Sequence, residues 1–265
     1  ESAKKQYIGY ELPNKTLGVI GLGSIGVKIA NAGYDLGMKV LGFDPMITVN
    51  NAINLVPGVK KQDALSEILK NVDILTIHIP YKNETKDFIS MNEINLMKNT
   101  ATIINLSREE IVNTDAVIEA LENKKLDTYV TDFPNESLIG NPDVLLLPHL
   151  GASTKEAEAN CAVMVANSIK SYLENGDIIN SVNFPDVSLV SDTKHRLTIT
   201  NLNKPNIVGQ FTSLLGNENI NINDLSHKNF KNIGYTILNL DKSISQKVIE
   251  QIQQIDGVIK TNIIS

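Results

Sequence analysis

The chain has 265 residues, a hydrophobic fraction of 42% and a formal net charge of −6. This composition is typical of a folded globular protein rather than a disordered one. The basic residues are scattered along the sequence, which argues against a nucleic-acid partner and against binding to an anionic membrane. No apolar run reaches the roughly 18 residues of a membrane span, and no signal-peptide pattern opens the chain, so we expect a cytoplasmic enzyme or regulator.

From Thr16 onward, short aliphatic segments alternate with segments whose apolar residues have helical spacing. The segments predicted as strands are LGVIG, MKVLGFD, VDILTIHI, TATIINLS, DTYVTDF and VLLLPH. Most of them are apolar at consecutive positions, which indicates strands that are buried on both faces. The alternation predicts an α/β domain of the Rossmann type, with a doubly wound parallel sheet.

The first predicted strand leads into VIGLGSIG, where Gly21, Gly23 and Gly26 have the spacing G-x-G-x-x-G. In such a turn the first glycine permits the bend, the second lets the backbone approach a pyrophosphate, and the third lets the helix pack against the sheet. Asp44 ends the next predicted strand, where its carboxylate can accept hydrogen bonds from ribose hydroxyls and repel a 2′-phosphate. This pattern favours NAD over NADP; the alternative is a glycine turn that binds nothing.

Two basic side chains directly follow predicted strands. Arg108 follows IINLS, and His149 follows LLLP. Ligands bind at the carboxyl ends of the strands in an open α/β sheet. Oxidation of a small hydroxy acid requires a base for the hydroxyl proton and a cation for the carboxylate. His149 and Arg108 have the types of side chain that such a reaction requires.

These motifs, together with HIPYKNETKDFI, PHLGAST and NSVNFP, resemble the D-isomer-specific 2-hydroxyacid dehydrogenases over nearly the whole chain. The resemblance implies NAD as the cofactor and a catalytic set of Arg108, Glu136 and His149. In this set Arg108 binds the substrate carboxylate, His149 is the acid/base, and Glu136 orients and charges the imidazole. It also implies that Asp132 lies beside the nicotinamide amide. Other positions that contact the dinucleotide in this family correspond here to Ser24, Ile25, Ile79, Leu106, Ser107, Gly151 and Ala152.

The resemblance further implies oxidation of 3-phospho-D-glycerate to 3-phosphooxypyruvate, the first step of L-serine synthesis. The alternatives are a dehydrogenase or reductase of another D-2-hydroxy acid, which would oxidise glycerate or reduce hydroxypyruvate, and a non-catalytic regulator that senses NAD and an amino acid. The chain departs from the family at two points. The segment DFPNES is one residue shorter than the family pattern Asp-Val-Phe-x-x-Glu-Pro and lacks its proline, and Glu109 occupies a position that is usually glycine.

A long helix is predicted from about Ser153 to Asn175, with a Ser-Thr cap and an end at Gly176. Its helical spacing suggests that Cys161 is a small buried residue. A single cysteine cannot form an internal disulfide, and no Cys/His cluster has the spacing of zinc ligands, so no metal is expected.

The remaining sequence has the order β-α-β-β-α-β, which is typical of a ferredoxin-like fold. It resembles the ACT domains, which are amino-acid-sensing modules. This resemblance implies allosteric inhibition by L-serine, with Asn201, Asn203 and Asn221 as effector-binding residues, and a homo-oligomer formed by paired modules. We predict an NAD-binding domain at residues 1–178, a linker at 179–192 and an ACT regulatory domain at 193–265. Because family members begin with a first lobe of the substrate domain, which is absent here, we expect a fragment of a longer enzyme.

Overall fold

The computed structural model describes residues 9–190 and 195–264. The chain divides into two compact units between Leu150 and Gly151. Each unit has its own sheet and its own hydrophobic core. The sequence prediction drew its first domain boundary at residue 178, after the long helix, whereas the division between the units falls before that helix. The linker and ACT boundaries stay predictions.

Among the described residues, the first unit contains a seven-stranded sheet in which every pair of neighbours is parallel. The strands are β1 (Thr16–Ile20), β2 (Lys39–Phe43), β3 (Lys60–Lys61), β4 (Ile74–Ile77), β5 (Thr102–Asn105), β6 (Thr128–Thr131) and β7 (Val144–Leu146). Their order across the sheet is β3-β2-β1-β4-β5-β6-β7. The order reverses between β1 and β4, which defines the switch point where open α/β sheets bind ligands. The predicted Rossmann-type sheet is confirmed.

Both faces of this sheet are covered, as the strand sequences predict. In β1, Leu17 and Val19 pack into one apolar cluster, and Ile20 packs into another. The helices of this unit are α1 (Ser24–Asp35), α2 (Val49–Ile53), α3 (Leu65–Leu69), α4 (Met91–Ile94) and α5 (Thr114–Glu122). The sequence prediction missed α2 and β3, because elements this short show too few positions for a periodicity to emerge.

The second unit begins with a long helix, α6 (Lys155–Asn175). The Thr154 hydroxyl accepts a hydrogen bond from the Ala157 amide, and Gly176 ends the helix with φ 71°, so the predicted caps are confirmed. The prediction that Cys161 is buried was wrong, because this side chain is exposed. All side chains of α6, which lies within the described residues, are at least partly exposed. Helical spacing identifies an apolar stripe but not whether anything covers it.

The rest of the second unit has the predicted β-α-β-β-α-β order. Its elements are β8 (Arg196–Leu202), α7 (Ile207–Asn217), β9 (Ile222–Phe230), β10 (Ile233–Leu240), α8 (Gln246–Gln253) and β11 (Val258–Ile264). Within the described ranges they form a four-stranded antiparallel sheet with the order β11-β8-β10-β9. One face of the sheet packs in a cluster with residues of α7 and α8, as shown by Leu197, Phe211 and Ile252.

The other face of this sheet carries a buried polar cluster around Arg196, which is 2% exposed. Its guanidinium donates to the Asn239 side-chain oxygen and to the carbonyl oxygens of Asn175 and Leu189. The Asp177 carboxylate lies 3.7 Å from the same guanidinium. Because a buried charge is costly unless it is paired and hydrogen-bonded, these contacts explain how arginine is tolerated at this position.

In the described part of the chain, every helix is too short or too polar to cross a lipid bilayer.

Candidate active site

The glycine turn between β1 and α1 has the backbone geometry that its sequence predicts. Gly21 adopts φ 86°, and a Cβ at this position would lie 2.5 Å from the His78 carbonyl oxygen. A Cβ at Gly26 would overlap the Gly21 carbonyl oxygen. Gly23, by contrast, has no atom within 4 Å of the place its Cβ would occupy. The turn therefore needs Gly21 and Gly26 for its own packing and leaves open space beside Gly23.

Asp44 follows β2 and supports the glycine turn from the neighbouring strand. One carboxylate oxygen accepts a hydrogen bond from the Leu22 amide at 2.8 Å, and the other accepts one from the Met46 amide at 2.8 Å. Each carboxylate oxygen has two lone pairs, so both retain capacity for the hydroxyls of a ribose. The carboxylate thus fixes the turn and presents negative charge beside it.

A cavity of about 360 Å³ opens between these two elements. It is lined by Gly21, Gly23, Phe43, Asp44, His78 and Ile79 among other residues. The N-terminus of α1 begins at this turn and can receive a phosphate through its free amides. The open space beside Gly23, the helix N-terminus and the Asp44 carboxylate fit the predicted dinucleotide. Burial lowers the pKa of His78 in the same cavity wall, which favours its neutral form.

The loop that carries Arg108 is organised by Asn105, a fully buried residue at the end of β5. The Asn105 side chain donates to the Arg108 carbonyl oxygen at 2.9 Å and accepts hydrogen bonds from the Ser107 amide and hydroxyl. The Arg108 guanidinium is exposed and donates to the Ser107 carbonyl oxygen at 2.6 Å. Asn105 was not among the predicted site residues, although a polar residue ending an apolar strand was a signal for it.

His149 lies two positions beyond Leu147, whose amide donates to the Thr131 carbonyl oxygen at the end of β6. The His149 Nδ1 atom is 3.0 Å from Oδ2 of Asp132. The Phe133 ring lies against the imidazole, with centroids 5.0 Å apart and an interplanar angle of 38°. The histidine side chain is 51% exposed and the aspartate side chain is 12% exposed. An imidazole held at Nδ1 in this way presents Nε2 to a substrate.

Glu136, which the family resemblance identifies as the orienting acid, does not occupy that position in the structure. Within the described residues the carboxylate paired with His149 belongs to Asp132, and Glu136 is exposed. The loop that contains Glu136 contacts the Arg108 loop, because the Asn135 side chain donates a hydrogen bond to the Glu109 carboxylate at 3.1 Å. The roles predicted for Glu136 as the orienting acid and for Asp132 as a cofactor contact stay predictions. The contact between Asp132 and His149 does not support them.

The remaining predicted dinucleotide contacts fall in three places. Ser24 and Ile25 are exposed in the first turn of α1, and Ile79 lines the cavity. Leu106 and Ser107 follow β5 on the Arg108 loop. Gly151 and Ala152 open the second unit. Their contacts with a dinucleotide stay predictions.

The predicted effector residues differ in accessibility. Asn201 is fully buried; its amide donates to the Leu202 carbonyl oxygen, and its Oδ1 is buried with no hydrogen-bond partner among the described residues. Asn203 is exposed and donates to the Lys231 carbonyl oxygen at 3.4 Å. Asn221 is exposed, and its backbone amide donates to the Asp241 carboxylate. Asn203 and Asn221 can be reached by a small molecule, whereas Asn201 is reached only if its surroundings move.

The order of strands brings the predicted chemistry to one edge of the sheet. Asp44, Gly21, Ile79, Arg108, Asp132 and His149 follow β2, β1, β4, β5, β6 and β7, respectively, all at the carboxyl ends. Neighbouring strands lie about 4.8 Å apart, so the strands that carry Arg108 and His149 are separated by roughly 10 Å. This spacing suits a cation and a base that act on one small hydroxy acid beside a dinucleotide.

Residues 2–151 match the family described as D-isomer specific 2-hydroxyacid dehydrogenase, NAD binding domain. The chain belongs to this family of NAD-dependent dehydrogenases, and NAD is its cofactor. NAD bound at this site would supply an acceptor for a hydride. The residues around the glycine turn and the cavity fit this cofactor.

Relatives extend the similarity through the second unit. The chain is 30% identical over 268 residues to the D-3-phosphoglycerate dehydrogenase of Escherichia coli (strain K12), with 96% of this chain and 64% of the relative covered. It is 38% identical over 191 residues to the enzyme of the same name from Synechocystis sp. (strain ATCC 27184 / PCC 6803 / Kazusa), with 70% of this chain and 34% of the relative covered. The chain therefore spans less than two thirds of the length of these relatives.

Solved structures share the fold. The D-lactate dehydrogenase from Lactobacillus jensenii, determined with NAD+, aligns with a TM-score of 0.55 and 28% identity over 63% of this chain and 55% of that chain. A glyoxylate reductase from Paecilomyes thermophila aligns with a TM-score of 0.59 and 27% identity over 66% of this chain and 54% of that chain. These relatives act on different substrates by name, so they support the family and the cofactor rather than one substrate.

Proposed function

We propose that the protein oxidises 3-phospho-D-glycerate to 3-phosphooxypyruvate with NAD, as the first step of L-serine synthesis, and that it acts as a cytoplasmic homo-oligomer. The observation that carries this proposal is the similarity to D-3-phosphoglycerate dehydrogenases over 96% of the chain, which includes the second unit. The solved D-2-hydroxyacid dehydrogenases align with less of the chain. The proposal therefore depends on the similarity of both units to the same kind of enzyme.

The residues at the sheet edge have the chemistry that this reaction requires. Arg108 has an exposed guanidinium, which can bind a carboxylate through two parallel hydrogen bonds. His149 presents Nε2, which can take the proton of the substrate hydroxyl as the adjacent carbon loses a hydride. The Asp132 carboxylate lies 3.0 Å from Nδ1 of the same imidazole.

Within the second unit, residues 193–265 are proposed to be an ACT regulatory domain that binds L-serine. Its β-α-β-β-α-β order and antiparallel sheet support this assignment. Asn203 and Asn221 are exposed amides, and an amide can satisfy both the ammonium and the carboxylate of an amino acid. Paired modules would place such a site between subunits, where binding can be coupled to catalysis.

A second candidate is the dehydrogenation of another D-2-hydroxy acid, such as glycerate. The similarity to D-lactate dehydrogenase and glyoxylate reductase structures favours it. A third candidate is a regulator that binds NAD and an amino acid without turnover. Arg108 and His149 weigh against the regulator, because binding alone requires neither a proton acceptor nor a substrate-binding cation.

The test follows NADH absorbance with NAD and, in separate reactions, 3-phospho-D-glycerate, D-glycerate and D-lactate, each with and without L-serine. The protein is expressed as its gene encodes it, including any residues that flank this sequence. The proposal expects the highest kcat/KM for the phosphorylated acid, and inhibition by L-serine. A preference for an unphosphorylated acid supports the second candidate, and binding of NAD without turnover of any acid supports the regulator.

A further inference from the structure

We propose that Asn201, His227 and Asn229 form a polar subsite that recognises the hydroxyl group of the amino-acid effector. This inference rests on the proposed regulatory role of the second unit, and it adds His227 and Asn229 to the effector site. The observation behind it is the fully buried side chain of Asn201, whose Oδ1 atom has no hydrogen-bond partner among the described residues. A buried acceptor without a partner costs free energy, so it marks a place where a donor can bind.

The register of the second sheet brings these three side chains to one face. Asn201 in β8 is paired with Gly234 in β10, and Gly234 is paired with Asn229 in β9. Paired residues of an antiparallel sheet have their side chains on the same face. His227 precedes Asn229 by two positions, so its side chain is on this face as well. It is the face that packs against α7 and α8, because Ile199, two positions before Asn201, belongs to their apolar cluster.

Gly234 provides the room in which these polar groups meet. A Cβ at this position would lie 2.6 Å from Nδ2 of Asn201, 2.7 Å from Oδ1 of Asn229 and 3.0 Å from Cε1 of His227. The three side chains therefore converge over the glycine, and any larger residue at position 234 would displace them. Glycine is a common choice where other groups must approach the backbone this closely.

His227 orients the Asn229 side chain within this cluster. Nδ1 of His227 lies 2.8 Å from the hydroxyl oxygen of Thr236, which is fully buried. Burial lowers the pKa of His227, and a hydrogen bond with the Asn229 side chain opposes this shift. A neutral ring accepts from the Thr236 hydroxyl at Nδ1 and donates from Nε2 to the Asn229 oxygen. The Asn229 amide nitrogen then remains to donate to a ligand.

A hydroxyl group matches the hydrogen-bonding capacity of this subsite. Its O–H can donate to Oδ1 of Asn201, and its oxygen can accept from the Asn229 amide nitrogen. The ammonium and carboxylate of an amino acid are charged, and a charge costs far more to bury than a hydroxyl does. The charged groups therefore stay at the exposed amide of Asn203, while the uncharged end of the side chain enters the subsite.

The distance between Asn203 and the subsite suits a small amino acid. Asn203 lies two positions after Asn201, and its backbone amide donates to the Asn232 carbonyl oxygen at 2.8 Å, so the strand pairing continues to this residue. Residues two positions apart on a strand are separated by roughly 6.6 Å and face the same side. With a hydrogen bond at each end, a molecule of the size of serine spans this distance.

Entry to the subsite requires the movement of one exposed side chain. Asn201 is covered, whereas Asn229 is exposed and His227 is half-buried. Rotation of the Asn229 side chain away from Gly234 opens a path toward the buried oxygen of Asn201. Changes of this kind in side-chain rotamers are common when a ligand binds.

Calorimetric titration with L-serine and with L-alanine, which lacks the hydroxyl, tests the subsite on the protein as its gene encodes it. The parent should bind L-serine about 5- to 30-fold more tightly than L-alanine, because alanine leaves the Asn201 oxygen unpaired. Asn229→Ala should remove most of this preference by weakening the binding of L-serine alone, and His227→Leu should do the same through Asn229. The control is Asn262→Ala, which removes a carboxamide from β11 at the opposite edge of the sheet and should keep the preference.

The outcomes separate this inference from the proposed function. If L-serine binds and the ratio of the two affinities is unchanged in Asn229→Ala, the inference is wrong and the effector role stands. Equal affinity of the parent for the two amino acids also overturns the inference. If the parent binds neither amino acid, the effector role and the subsite both fail, whereas dehydrogenase turnover is measured independently. Because Asn229 is exposed, Asn229→Ala is expected to fold, and it decides the question if His227→Leu does not fold.

Discussion

The buried polar side chains of the two units differ in their hydrogen bonding and in the exposure of their partners. In the second unit, Arg196 is 2% exposed and its guanidinium donates to three oxygen atoms, so its donors are used within the fold. At the edge of the first sheet, within the described residues, the Asp132 carboxylate contacts His149, whose side chain is 51% exposed. A fully bonded polar cluster stabilises one arrangement, whereas an accessible pair with a shielded charge can exchange a proton with a ligand.

Polar side chains that stabilise the fold are therefore distinct from polar side chains that can act on a ligand. The carboxyl edge of the first sheet has a cavity, an exposed cation and a half-exposed imidazole, while the Arg196 side chain is buried. Substitutions at the first location should therefore change catalysis more than stability. Substitutions at the second should change stability.

The largest expected effect is that of His149→Asn. Removal of the base should lower kcat by about 10²–10⁴, and the free energy of unfolding should change by less than about 1 kcal/mol, because the side chain is half exposed. Steady-state kinetics and urea unfolding of the same preparation measure both quantities. A large loss of stability with unchanged kcat would show that His149 has a structural role. It would contradict the difference between the edge of the first sheet and the Arg196 cluster.

The reverse result is expected for Arg196→Met, which has a similar length but no charge. It removes three hydrogen bonds and leaves Asp177 without its cation, so the free energy of unfolding should fall by about 3 kcal/mol. Urea unfolding followed by circular dichroism measures the loss. A change below about 1 kcal/mol would show that methionine packing replaces the cluster.

Two glycine substitutions sharpen the same distinction within the first unit. A Cβ at position 26 would overlap the Gly21 carbonyl oxygen, so Gly26→Ala should lower the free energy of unfolding by about 1–3 kcal/mol. Position 23 has open space, so Gly23→Ala should retain stability and weaken NAD binding by obstructing the pyrophosphate. Thermal unfolding and calorimetric titration with NAD measure the pair. Equal effects of the two substitutions on stability would contradict the roles assigned to them.

The smallest expected effect concerns Tyr235, whose hydroxyl donates to the buried Gly176 carbonyl oxygen at 2.7 Å. Tyr235→Phe should cost about 1 kcal/mol at neutral pH. Burial raises the pKa of Tyr235 to about 12 from its ordinary 10.0, so the folded state favours the neutral phenol. This contribution is complete below pH 10 and is lost as the pH rises toward 12. The stability advantage of the parent over Tyr235→Phe should therefore shrink between pH 10 and pH 12. A constant advantage would argue against a raised pKa of Tyr235.

The elements of the fold and several site residues were predictable from the sequence because their signals are local. Gly21, Gly23 and Asp44 are recognised from spacing around a strand and a helix start, and Arg108 and His149 from their positions after strands. The structure confirms these positions at strand ends, while their roles in binding and catalysis stay predictions.

Other features depend on packing that no local pattern contains. The contact between Asp132 and His149 arises from the lateral register of β6 and β7, where Thr131 is paired with Leu146. The exposure of Cys161 depends on what covers α6, which a helical stripe of apolar residues does not reveal. The position of Asn105 at the end of an apolar strand is a local signal, but the hydrogen bonds by which it holds the Arg108 loop are not contained in that signal.

We propose that the carboxyl edge of the first sheet is the active site of an NAD-dependent 2-hydroxyacid dehydrogenase. The most direct test is the initial rate of NADH formation from NAD and 3-phospho-D-glycerate at mildly alkaline pH, for the parent protein and for His149→Asn at matched NAD occupancy. We expect turnover by the parent and an initial rate lower by a factor of about 10²–10⁴ in the variant. Equal rates for the two proteins, or binding of NAD by the parent without turnover of any D-2-hydroxy acid, would contradict it.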